Sequence, residues 1–332
     1  MAQGNDPYWH GVFGGLYLPH LREAAYSHII QAEAGLSLGR GWSVSDFDLD
    51  GRPEAIFRGE FQASFIKPAC GGSLVCLDSI PLGRNVLDVL SRRREAYHLA
   101  QTGNAAEGKS IHELAKTLPP ESGHLTEPEA FRRFSMQDRF FAPDAAAEDL
   151  ASNRSGEAGD FLGAEYDILP PRTPDPRIRR ANAAPLLLSR SGHVVLSGVS
   201  RPFVVRKRIL AGDDGLSVAF ELENSSPNEL HFLFGSEWNF SAFLGEWEVE
   251  GSSVWLFGRT TRLDAQRAEA VWMYPLQTLS QSETGFDVIH QGVCVIPVWR
   301  LRIPAGAAVI LELSLRLPAQ AKPHPRLRKT RI

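Results

Sequence analysis

Cysteine is scarce in this chain, with three residues in 332. Three are too few, and too unevenly spaced, for a disulfide framework or a zinc site. Cys70 and Cys76 are close enough to pair across a hairpin, but reduced core thiols are the expectation for both and for Cys294. Long apolar runs are missing too: none approaches the roughly 18 residues of a membrane-spanning helix. No basic stretch followed by an apolar one opens the chain, so no secretory signal is visible. An excess of one charge is also absent. The net charge of −4 gives no support for a nucleic-acid or membrane partner. No internal repeat of about 20 to 50 residues is evident. A cytoplasmic protein is therefore expected, and 43% hydrophobic with 22% charged residues is ordinary globular composition.

Helix signals are few. Pro19 suits a first helical turn, and Leu21, Ala25, His28, Ile29 and Ala32 fall on one face until Gly35. A second candidate runs from Asn85 to Ala100, with Val86, Val89, Leu90, Arg93 and Tyr97 at helical spacing. Most of the rest reads as strand. Residues 54–66 and 73–78 are rich in β-branched and aromatic side chains, and from residue 184 the strand pattern is almost continuous. Short turns such as Asp213-Asp214-Gly215 separate these runs, which predicts an antiparallel sandwich or barrel. Residues 142–159 and 170–180 read as surface connections, and the basic stretch after Pro318 as a disordered tail.

Residues 4–20 are the most informative. Asn5, Asp6, Tyr8, Trp9 and His10 stand beside Gly11 and the Gly14-Gly15 pair. Aromatic faces stack on sugar rings, carboxylates and amides take ring hydroxyls, and glycines let backbone approach a ligand. On composition alone an aromatic turn in a core fits equally well.

This run resembles the last sequence signature of the family 57 glycoside hydrolases, the α-amylase and 4-α-glucanotransferase group. The resemblance continues in order through Asp46-Phe47-Asp48-Leu49-Asp50-Gly51, Gly71-Gly72-Ser73-Leu74, residues 92–98 and Ser110-Ile111-His112-Glu113. It extends to Gln137-Asp138-Arg139-Phe140-Phe141, Glu237-Trp238-Asn239-Phe240-Ser241 and residues 280–286, so it spans nearly the whole chain. One departure is Phe131-Arg132-Arg133-Phe134-Ser135-Met136, where the family places a Tyr-Asp pair; the stretches around 117–130 and 142–160 are also unusual. The resemblance implies a mainly β, galactose-mutarotase-like supersandwich of two antiparallel sheets, preceded by a catalytic barrel. In the family that barrel carries the Glu and Asp of a retaining mechanism, ahead of the signature that begins here at Asn5. By the same resemblance Asp6 binds sugar hydroxyls and Trp9 stacks on a glucose ring.

Glu237, on an apolar strand, is the other candidate substrate contact; the alternative is a buried ion pair, with Arg206 or Arg208 as candidate partners. An acid/base pair of mutarotase type needs a histidine, and His98, His231 and His290 are available. Asp46, Asp48, Asp50 and Glu54 have the spacing of a calcium loop without the bidentate Glu of an EF-hand, its position being Phe57. Either a structural Ca²⁺ or an acidic turn fits that spacing, and no cofactor is expected for catalysis. Trp247 and Trp255, near polar turns, are possible sugar platforms.

Together these readings predict a helical remnant over 1–44, a β-supersandwich over 45–318 and a tail over 319–332. The expected function is that of the C-terminal part of an α-glucan-acting enzyme, not catalytic alone, either a truncated frame or one half of a split enzyme. Its partners would be an α-glucan or maltooligosaccharide and a separately encoded barrel. A stand-alone carbohydrate-binding module is the alternative, and a sugar mutarotase a third reading. The residues do not separate amylase from glucanotransferase, since that choice depends on acceptor sites in the barrel.

Overall fold

A computed structural model describes residues 15–36, 38–94, 122–151, 156–170, 184–281 and 286–319. It is mainly β, with antiparallel strands throughout. Helix α1, Pro19–Ala34, comes first. Sheet A follows: β1 Gly41–Ser45, β2 Glu54–Arg58, β3 Gln62–Lys67, β4 Ser73–Ser79 and β5 Arg84–Asn85, paired in chain order. Sheet B orders β15 Ala270–Gln281, β16 Phe286–Ile303, β11 Leu230–Phe240 and β6 Gln137–Phe141. Sheet C begins with β12 Trp247–Glu250, β13 Ser253–Leu256, β14 Thr261–Ala265 and β17 Ala308–Arg316. It continues through β10 Gly215–Asn224, β9 Val199–Gly212, β8 Leu186–Leu196 and β7 Asp167–Leu169.

Period-2 alternation decides which side chains meet. On β9 and β10, Phe203 and Phe220 point inward from sheet C; on β6 and β11, Phe140, Phe232 and Phe234 point inward from sheet B. Their rings interlock across the interface, with Phe140–Phe203 at 5.5 Å, Phe203–Phe232 at 5.6 Å and Phe220–Phe234 at 5.6 Å between centroids. The supersandwich is this packing of B on C, with Ala55, Ile66, Leu74 and Leu77 of sheet A joining the same core.

A polar knot ties the three sheets. Lys207 of β9 is fully buried, its Nζ 2.9 Å from Asp138 Oδ2 on β6 and donating to the carbonyls of Gly71 and Met136, each at 2.8 Å. The Tyr166 hydroxyl donates to the same Asp138 oxygen. Burial lowers the Lys207 pKa and raises that of Asp138, each held partly in check by the other's charge. Breaking such a pair is far costlier than forming it is favourable.

Four local expectations are corrected. Helix α1 begins at Pro19 as predicted, but its buried residues are Arg22 and Ile30, while Ile29 stands 46% exposed. Of the expected helix from Asn85 to Ala100, residues 85–94 are not helical and 95–100 lie outside the described residues. Asn85 Oδ1 accepts from the amides of Leu77 and Leu87, and Val86 N–H bonds Leu77 O, so this backbone pairs with β4 instead of with itself. The run 54–66 is two strands divided by a turn at Gly59, whose N–H bonds Gln62 O. Within 142–159 lies a short helix, α2 Ala147–Ala151.

Candidate functional site

Asn5, Asp6, Tyr8, Trp9 and His10 lie outside the described residues, as do His98 and most of the 170–180 connection. What the structure does show is how the chain just after the signature is held. Arg22, buried on α1, donates to Leu16 O at 2.6 Å, to the Asp88 carboxylate at 3.1 Å and to Gln291 Oε1 at 2.8 Å. Gln291 in turn donates to Tyr17 O and to Thr278 Oγ1, both at 2.8 Å. Gln291 can do this because it is the extra residue of a β-bulge. The β15–β16 register steps from Leu276↔Gly292 to Gln277↔His290 and leaves it unpaired. Gly292 beside it is obligatory, since a Cβ there would lie 2.1 Å from Phe240 O. Residues 15–17 are thereby clamped to the end of sheet B.

Glu237 faces away from the sandwich core, on the outer side of sheet B, and is 1% exposed. Its partners are Arg133 and Arg139, not Arg206 or Arg208; Arg206 instead pairs with Glu221 and Glu223 at 2.7 Å each. Arg133 Nη1 lies 3.0 Å from Glu237 Oε1 and donates to the Tyr274 hydroxyl at 2.8 Å, and Asn239 Nδ2 donates to the same Glu237 oxygen at 3.0 Å. Arg139 Nη1 bonds Glu237 Oε2, and its Nε bonds Glu157 Oε2 at 2.7 Å. Glu129 closes the network against Arg133 at 2.7 Å and Arg92 at 3.2 Å.

Burial alone would raise the Glu237 pKa, but the two guanidiniums more than offset it and hold the group below the usual range. Glu157 ends differently. Desolvation outweighs Arg139, and its pKa rises to about 7. A cavity of about 360 Å³ opens on this network, bounded also by Phe131, Gln137 and Leu162. Arg133 lies within the stretch 131–136 that departs from the Tyr-Asp pattern, and that departure is the sequence signal for this cluster.

Of the candidate histidines, the two described, His231 and His290, do not line the cavity. His231 contacts Glu229 at the surface, and His290 lies tilted against Phe243 at 5.7 Å between centroids. Trp255 carries the guanidiniums of Arg259 and Arg262 over its ring at 4.7 and 4.9 Å, which occupy the surface a sugar would stack on. Trp247 packs against the core.

In the acidic loop, oxygens of Asp46, Asp48 and Asp50 lie within 4.8 Å of one another, a spacing that fits a cation. Asp46 Oδ2, Asp50 Oδ1 and Glu54 Oε2 accept loop amides from Gly51, Arg52 and Phe47. The remaining oxygens of Asp48, Asp50 and Glu54 converge on Lys67 Nζ, at 2.6 Å from Asp50 and 3.3 Å from Glu54. The ammonium donates to Asp48 and Asp50, and Glu54 Oε1 stands beside it as an ion pair. Against the burial that would lower it, those bonds raise the Lys67 pKa, and the bond from Lys67 lowers that of Asp50.

The C-terminal model of the alpha-amylase/4-alpha-glucanotransferase family matches residues 46–249 and 242–313, and its middle-domain model matches residues 1–36. The chain belongs to this family. The 4-alpha-glucanotransferase of Thermococcus kodakarensis is 36% identical over 88% of this chain and 43% of its own length. The alpha-amylase of Pyrococcus abyssi is 31% identical over 95% of this chain and 46% of its own. The crystal structure of the 4-alpha-glucanotransferase from Thermococcus litoralis superposes with a TM-score of 0.77 at 30% identity, covering 95% of this chain and 47% of that one. The chain thus spans less than half the length of these family members. Galactose mutarotase-like proteins are more distant neighbours; the one from Clostridium acetobutylicum has a TM-score of 0.44 and 9% identity over 82% of this chain and 97% of its own. Among the described residues no helix is long and apolar enough to cross a membrane.

Proposed function

We propose that this chain is the β-rich C-terminal part of an α-glucan-acting enzyme of the amylase or glucanotransferase kind. It completes the sugar cleft with Asn5, Asp6, Tyr8, Trp9 and His10 and is not catalytic alone. The Arg22–Gln291 clamp carries this reading: it fixes the carbonyls of Leu16 and Tyr17 on sheet B, so the signature leaves the domain from an anchored point. A retaining mechanism needs two carboxylates about 5 to 5.5 Å apart with a sugar between them. The carboxylates Glu129, Glu157 and Glu237 are each bound to arginine, which supports a positioning role. The partners are an α-glucan or maltooligosaccharide and a catalytic barrel, carried by the same or another polypeptide. The acidic loop keeps the donor set of a structural Ca²⁺ site, but Lys67 answers its charge, so Ca²⁺ enters only where that ammonium is removed. Three free cysteines support a reducing, cytoplasmic setting. Incubating the purified chain with maltoheptaose and separating the products tests this. The expected result is unchanged substrate, and longer and shorter oligomers would refute it.

A further inference from the structure

The cavity over sheet B has a composition that the frame role leaves unused. We propose that it is a carbohydrate subsite taking one or two units of a neutral α-glucan chain. The proposal rests on the α-glucan reading above for the identity of the sugar.

On the cavity wall Glu127, Glu129, Glu157 and Glu237 stand beside Arg132, Arg133 and Arg139, and Arg92 pairs with Glu129. This mixed wall presents donors and acceptors side by side, which is what a polyol requires. The network also holds these planar groups rigid before a ligand arrives, so little ordering cost remains for binding. Two groups on the wall are left over. Arg139 bonds through Nε and Nη1, and Gln137 donates through Nε2 to Arg132 O. Arg139 Nη2 and Gln137 Oε1 therefore remain as a donor and an acceptor without a protein partner among the described residues.

Phe131 is the second and independent observation. It bounds the cavity yet is 46% exposed, although it is a large apolar side chain. Its ring lies against Gly163, where a Cβ would stand 3.2 Å from ring carbon Cδ1. The ring is thus supported from behind and open in front, beside polar groups, as a sugar-stacking platform is. A volume of about 360 Å³ lies within the range of small-molecule sites. Glu237 does not touch the sugar here. Both of its oxygens are taken, so it is a positioning residue for Arg133 and Arg139.

Calorimetric titration of the whole purified chain with maltotriose tests the subsite, with three proteins in parallel: wild type, Phe131→Ala and Trp255→Ala, the last at a ring already covered by Arg259 and Arg262. The expected result is saturable binding by wild type, affinity weakened about fivefold or more in Phe131→Ala, and little change in Trp255→Ala. Circular dichroism unchanged in Phe131→Ala shows that the loss is local. No binding by wild type, or affinity unaffected in Phe131→Ala, overturns the proposal. Neither result bears on whether the chain turns over glucan, so the two readings fail separately.

Discussion

Replacing Lys207 with methionine leaves Asp138 ionised in a closed interior with only the Tyr166 hydroxyl for support. It also removes the donor shared by the carbonyls of Gly71, Gly72 and Met136. Loss of one partner of a buried pair costs about 3 to 5 kcal/mol, a large part of a typical folding stability of about 5 to 15 kcal/mol. The pH dependence gives a sharper signature. Burial already raises the Asp138 pKa in the folded state, with Lys207 the main opposing charge, so its removal raises that pKa further. A carboxyl raised in the folded state disfavours folding above its folded pKa and ceases to do so when protonated. The deficit of Lys207→Met relative to wild type is therefore greatest near pH 8 and shrinks as pH falls. The double variant Asp138→Asn/Lys207→Met recovers part of the loss at pH 8. Urea unfolding at pH 5, 6.5 and 8 reads all three. A deficit under about 1 kcal/mol at pH 8, or one that does not change with pH, would refute the knot as the joint between sheets.

Two further substitutions probe single sites. Asp78 is buried beside Cys76, and desolvation, with Glu33 and Asp88 adding to it, raises its pKa to about 7. Its favourable contribution is complete below the ordinary carboxylate pKa and lost as pH rises toward 7, so Asp78→Asn should stabilise the fold by about 1 to 4 kcal/mol at pH 8 and not at pH 4. Equal effects at both pH values in urea titrations would contradict this. Lys67→Met should leave the carboxylates of Asp48, Asp50 and Glu54 without their ammonium, lower the melting temperature, and make it rise with millimolar Ca²⁺. Wild type should respond to neither Ca²⁺ nor chelator, and a chelator-sensitive wild type would assign the loop to a metal.

Periodicity made much of the sandwich legible. In β10 burial alternates from Leu216 to Asn224 almost residue by residue, and Asp213-Asp214-Gly215 makes the turn before it. Partners distant in sequence were not legible. Glu237 meets Arg133 and Arg139 about 100 residues away because β6 inserts beside β11, a pairing that no local pattern encodes. Arg206 and Arg208 share a chain region with Glu237 but lie on sheet C, where Arg206 serves Glu221 and Glu223. Lys67 at the acidic loop was missed for the same reason, as it arrives from the end of β3. The helix-like spacing after Asn85 failed because one amide side chain captured two backbone N–H groups.

Retention of configuration passes through a sugar covalently attached to a carboxylate. Exposing the purified chain to a fluorinated maltosyl fluoride that traps such an intermediate, then weighing the intact protein, asks directly whether a nucleophile is present. A mass identical to that of the untreated protein is the predicted result. A stoichiometric gain of one glycosyl group would contradict the claim that the chain is not catalytic alone.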